Sequence, residues 1–85
     1  MEKTIQFSKH ALGQMDERGI SQNEVVEAIR SGEQSPAKKG RLSFRKNFVF
    51  EKMWAGRFYR IKQVVPIVIE EKLSLVVVTA FSFYF

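Results

Sequence analysis

The spacing of apolar residues changes once along this chain, and that change limits the fold more than any other feature. Up to Gly32 the apolar positions recur at helical intervals; from Arg41 onward they alternate with polar ones. A switch of this kind predicts an α+β chain in which early helices pack against a sheet built from the later segment.

In the first part, Ser8 stands where an N-cap belongs, Ala11, Leu12 and Met15 follow at helical spacing, and Gly19 supplies a stop. A helix from Lys9 to Arg18 is expected, with Thr4 to Phe7 as an extended lead-in. Ser21-Gln22-Asn23-Glu24 has capping-box spacing, Val25, Val26 and Ile29 form the next apolar stripe, and Gly32 ends that helix. Glu33 to Gly40 shows no period, contains Ser35-Pro36, and reads as an exposed loop.

In the second part, Leu42, Phe44, Phe48 and Phe50 alternate with Ser43, Arg45, Asn47 and Glu51. Ala55-Gly56 is the expected turn. The following strand should carry Tyr59, Ile61, Gln63 and Val65 on one face and Arg60 and Lys62 on the other. Pro66 cannot donate to a ladder and should mark an edge, a bulge or a break. After a turn at Glu70-Glu71-Lys72, the segment Leu73 to Tyr84 is apolar on both faces, which places it in the middle of the sheet. The expected architecture is two N-terminal helices packed on an antiparallel sheet of three to four strands, in a single domain over residues 1–85.

A chain of 85 residues has room for one domain. It buries only ~60% of the surface its unfolded form exposes, so the core has little margin. There is no cysteine, which excludes disulfides and thiolate chemistry and suits a reducing cytoplasm. The opening Met1-Glu2-Lys3-Thr4 lacks the apolar core of a signal peptide. Leu73 to Phe85 is shorter than the roughly 20 residues a membrane helix needs, so no membrane role is expected.

Charge is polarised. The net +5 hides four basic and six acidic residues before Lys38, then nine basic residues against Glu51 alone from Lys38 to Lys62. Such a segment favours a polyanionic partner, either RNA or an acidic protein. The competing reading is a solvated basic face that keeps an apolar sheet soluble. If the first two long strands pair, Lys38, Lys39, Arg41, Arg45, Lys46, Arg57, Arg60 and Lys62, with Tyr59 among them, form a basic strip able to track phosphates and stack bases.

His10 is the only histidine, and its imidazole suits proton transfer. On a helix it shares a flank with Gln14 and Glu17. It also suits a plain helix-start role, bonded to backbone or solvent. Arg18 can clamp a phosphate, bond the last carbonyls of its helix, or pair with a carboxylate across the helical corner. Thr79 and Tyr84 interrupt the most apolar strand, where a threonine usually bonds its neighbours. One histidine, no cysteine and scattered carboxylates make a metal centre improbable, and no glycine-rich phosphate loop precedes a helix, so no cofactor is expected.

The run Phe7-Ser8-Lys9-His10-Ala11-Leu12, continuing through Met15-Asp16-Glu17-Arg18-Gly19-Ile20-Ser21, resembles the opening of a small bacterial family of unknown function. The strand Val76-Val77-Val78-Thr79-Ala80-Phe81 resembles its closing strand. That family is grouped with the fold of barnase, EndoU, colicin ribonucleases and RelE-type toxins. The resemblance implies helices on an antiparallel sheet, metal-independent RNA cleavage as the recurrent activity, RNA or the ribosome as target, and an acidic antitoxin-like partner. On that reading His10, Arg45 and Lys62 are the candidate catalytic residues. A non-catalytic basic module on the same fold, binding RNA or an acidic protein, is the alternative.

Overall fold

The Ser8 hydroxyl accepts from the Ala11 amide at 3.0 Å and starts helix α1, Lys9–Glu17. Gly19, at φ 67, turns the chain away after the Arg18 C-cap. Ser21 and Glu24 close a full capping box at the start of α2, Gln22–Ser31. The computed structural model describes residues 3–85; Met1 and Glu2, part of the opening read above as lacking a signal core, lie outside them.

Beneath the helices the described residues form a sheet of five strands: β1 Thr4–Phe7, β2 Glu33–Pro36, β3 Leu42–Trp54, β4 Arg57–Glu70 and β5 Ser74–Tyr84. Their order is β1-β5-β4-β3-β2, with β1 parallel to β5 and every other pair antiparallel. The expectation of three to four antiparallel strands is therefore corrected to five in a mixed sheet. Two short segments account for the difference. Thr4–Phe7 is a strand because it lies along Ser74 to Val77, and Glu33–Pro36 is a strand because it lies along Leu42 to Arg45. Neither has a period long enough to read from sequence. The expected loop shrinks to a single 3-10 turn at Lys38–Gly40 and its flanks.

β5 lies inside the sheet, as its apolar character required. β4 is also central, so Pro66 sits in an inner strand rather than at an edge. The ladder accommodates it: pairing of β3 with β4 runs from Ser43/Ile67 to Lys46/Val64 without the intervening rungs, and the β4–β5 register shifts next to it, between Ile67 and Val68. Ala55 and Gly56, at φ 50 and 83, form the expected two-residue turn between β3 and β4.

Both helices lie on one face of the sheet, α1 over β5 and α2 over β3 and β4. Ala11, Met15, Ile20, Val25 and Ile29 meet Phe44, Val64, Val68, Val77 and Ala80 there to form the core. Among the described residues no layer covers the opposite face. Val49 on it is 78% exposed and Phe83 48%.

Candidate functional site

The corner Arg18-Gly19, where α1 turns toward α2, gathers side chains from three strands. The Arg18 carbonyl accepts from Ser82 Oγ at 3.2 Å and Tyr84 OH at 3.1 Å. Its guanidinium donates to the Ala80 carbonyl at 2.8 Å, on the stretch of β5 that extends past the end of β1. Gln14 receives both Arg18 Nη1 and the Thr79 hydroxyl. Arg18 thus seals an open strand edge, a role different from each of those its position in the sequence suggested. Thr79 and Tyr84 anchor the last strand to the helix.

Lys62 Nζ donates to the Gly19 carbonyl and to Glu24 Oε1 at 2.9 Å. The side chain is 5% exposed and lies over the Phe50 ring, 5.7 Å from its centroid. The predicted outward face for Lys62 is corrected: it points toward the helices. Tyr59 changes sides as well. The amides of Arg60 and Ile61 both donate to the Phe85 carbonyl, a bulge that offsets the alternation by one residue. Tyr59 therefore shares a face with Lys62, while Ile61, Gln63 and Val65 take the other.

The nine cations of the basic segment separate into two sets. Three hold the fold. Lys62 pairs with Glu24, Lys46 reaches α2 to bond Glu27 at 2.7 Å and Ser31 at 2.6 Å, and Arg45 pairs with Glu33 directly across the β2–β3 rung. The Lys46 bond, helped by Ser31, holds the Glu27 carboxyl below its ordinary pKa. The other six, Lys38, Lys39, Arg41, Lys52, Arg57 and Arg60, have no ion-pair partner among the described residues. They form two groups: Lys38, Lys39 and Arg41 at the 3-10 turn, and Lys52, Arg57 and Arg60 near the tip of the β3–β4 hairpin.

The hairpin tip is aromatic. Tyr84 stacks on Trp54 with centroids 5.1 Å apart, and touches Phe50 at 5.2 Å and Tyr59 at 5.5 Å. Lys52 lies over Phe50 and Arg57 over Tyr59, each 5.8 Å from the ring centroid. All four rings are half-buried, and both cations are exposed. Gly19 seats the cluster, because its α-carbon meets the Trp54 ring: a β-carbon there would stand 2.6 Å from Trp54 Cη2.

His10, Arg45 and Lys62 are not brought together. His10 is exposed in the first turn of α1, on the helical side; Arg45 lies on the open face; Lys62 is buried at the Gly19 corner. Among the described residues His10 has no hydrogen-bond partner, and its expected neighbour Gln14 is turned to Arg18 and Thr79. Tyr59 and Arg57 do meet at the tip, joined by Phe50, Lys52, Trp54 and Tyr84, which the sequence reading left out. The signal was there: Phe50, Lys52 and Trp54 recur at intervals of two and face Arg57 and Tyr59 across the Ala55-Gly56 turn. No group of acidic residues and histidine capable of holding a metal occurs among the described residues.

Comparison with curated proteins and with solved structures finds no match to this chain in either. A family match covers residues 7–82, from the residue before the α1 cap to the far end of β5. The chain belongs to the family described as a domain of unknown function, DUF4258.

Proposed function

We propose that this chain is a non-catalytic RNA-binding module that holds single-stranded RNA at the tip of the β3–β4 hairpin. The observation that carries the reading is the pairing of contacting rings with unpaired cations: Phe50, Trp54, Tyr59 and Tyr84, flanked by Lys52 and Arg57. Aromatic faces accept stacked bases of any identity while cations follow the phosphates. Arg60, at the adjoining bulge, adds a third charge.

Helices on one face of a mostly antiparallel sheet support the grouping with barnase-like and RelE-like folds at the level of architecture. Fold alone does not carry an activity. Proton transfer to and from a ribose and its phosphate needs groups within hydrogen-bond reach of one another. His10, Arg45 and Lys62 occupy three separate surroundings, so the geometry favours binding over cleavage. The lack of cysteine supports a reducing compartment such as the cytoplasm.

The test uses end-labelled single-stranded RNA with excess EDTA, followed by fluorescence anisotropy and by gel. Binding should weaken as salt rises, with a logarithmic slope of about −2 for three phosphate contacts on a single strand. The strand should stay intact. Metal-free cleavage would make the protein a ribonuclease, and no binding even at low salt would remove RNA as its partner.

A further inference from the structure

On the face of the sheet opposite the helices, a shallow groove of about 520 Å³ crosses β3, β4 and β5. Its floor is apolar, set by Val65, Ile67 and Phe81, and its lining contains Lys38, Lys39 and Arg41 but no acidic residue. These three cations have no ion-pair partner among the described residues. Outside the lining, the Arg18 guanidinium lies 4.9 Å from the centre of the Phe81 ring. The groove therefore has an apolar floor and a positive rim at Lys38, Lys39 and Arg41, with Arg18 bordering Phe81.

We infer that this groove is a protein-docking site for an acidic amphipathic helix of another protein, separate from the RNA-facing hairpin tip. Three features choose that occupant. The charge of the Lys38, Lys39 and Arg41 rim calls for carboxylates, and the floor calls for apolar anchors beside them. A nucleic acid fits poorly, since it brings a charge with every nucleotide and stacks on successive rings, whereas the lining holds one ring, Phe81, beside aliphatic side chains. The groove also runs across strands that already pair with one another, which leaves no edge for a partner strand to extend. A helix satisfies its own backbone and offers side chains at i, i+3 and i+4, the mode that suits such a surface.

Residues from the 3-10 turn, its flanks and all three long strands meet here, so no short stretch of sequence shows the site. Lys39 is held at φ 62 beside Gly40 at φ 70, and this left-handed pair folds the turn back toward the sheet. The same fold brings Arg41 and Lys38 to one rim.

The test is selection of randomised helical peptides displayed on phage against the full chain. Enriched sequences should combine aspartate or glutamate with leucine, isoleucine, methionine or phenylalanine at helical spacing. The best of them, synthesised, should lose about tenfold or more in affinity to a Lys38→Glu, Lys39→Glu variant, as expected for loss of a complementary charged rim. Both positions are exposed, so this variant keeps its fold. A peptide with its acids changed to lysine should regain affinity for the variant. Enrichment of sequences without acids, or binding indifferent to the charge reversal, would overturn the assignment. So would displacement of the peptide by single-stranded RNA alone, or a dimeric mass for the parent that the same variant abolishes, since these put RNA or a second copy in the groove.

Discussion

Gly19 sits at φ 67 with the Trp54 ring against its α-carbon, so both its backbone and its lack of a side chain are needed. Gly19→Ala should cost about 2–4 kcal/mol, combining the left-handed penalty with overpacking against the indole, and a urea melt followed by Trp54 fluorescence reads it. Lys62 stabilises the same corner through Gly19 and Glu24. Lys62→Ala removes a buried side chain that donates to the Gly19 carbonyl and the Glu24 carboxylate, and should lower stability by about 1–3 kcal/mol, so any loss of function in that variant would reflect folding rather than chemistry. Glu27 gives a sign-definite pH effect. Its carboxyl is held low by the Lys46 hydrogen bond and then by Ser31, so the contribution is present above the ordinary carboxylate pKa and lost as pH falls through the lowered folded value. In Lys46→Ala the Glu27 titration, followed by NMR, should move back up toward the ordinary range. The capping residues Ser8, Ser21, Glu24 and Gly19 were legible in the sequence because their effect is local. Lys62 was not, because it alternates with Val64 and Val68 onto the side that the helices cover, and its partners Gly19 and Glu24 are remote in sequence.

At the scale of elements, the long strands and both helices follow from their apolar periods, whereas β1 and β2 exist only through their partners. Four residues with no period of their own become a strand when a longer strand offers a ladder, as Ser74 to Val77 does for β1. Pro66 marks a bulge, one of the three outcomes expected of it. The rule that proline avoids central strands yields where the neighbouring rungs are skipped and a bulge lies beside it. The same logic explains Arg18. Past Val77, β5 has no strand on its outer side, and an arginine from α1 takes the Ala80 carbonyl there. Arg18→Ala should speed amide exchange in the β5 segment after Val77 while leaving α2 protected, as hydrogen exchange with mass spectrometry would show. Equal acceleration in both elements would mean that Arg18 acts on the whole fold rather than on this edge.

Over the whole molecule, the sequence put the positive charge in the right segment but could not divide it. Half of the question was which cations already have partners, and those partners come from α2 and β2, remote in sequence. Once Arg45, Lys46 and Lys62 are committed to the fold, the remaining charge of the Lys38 to Lys62 segment lies at two places, a turn beside an apolar groove and a hairpin tip covered by rings. The measurement that tests this division most directly compares RNA affinity and urea midpoint for two variants of the full chain, Lys52→Ala with Arg57→Ala, and Lys62→Ala alone. The first should lose about tenfold or more in affinity for single-stranded RNA with only a small drop in midpoint, because besides phosphate contacts it removes two exposed cation–ring contacts and no buried one. The second should lower the midpoint, and the protein that remains folded should bind RNA as the parent does. Parent-like affinity in the double variant, or a large loss of affinity in folded Lys62→Ala, would contradict the account.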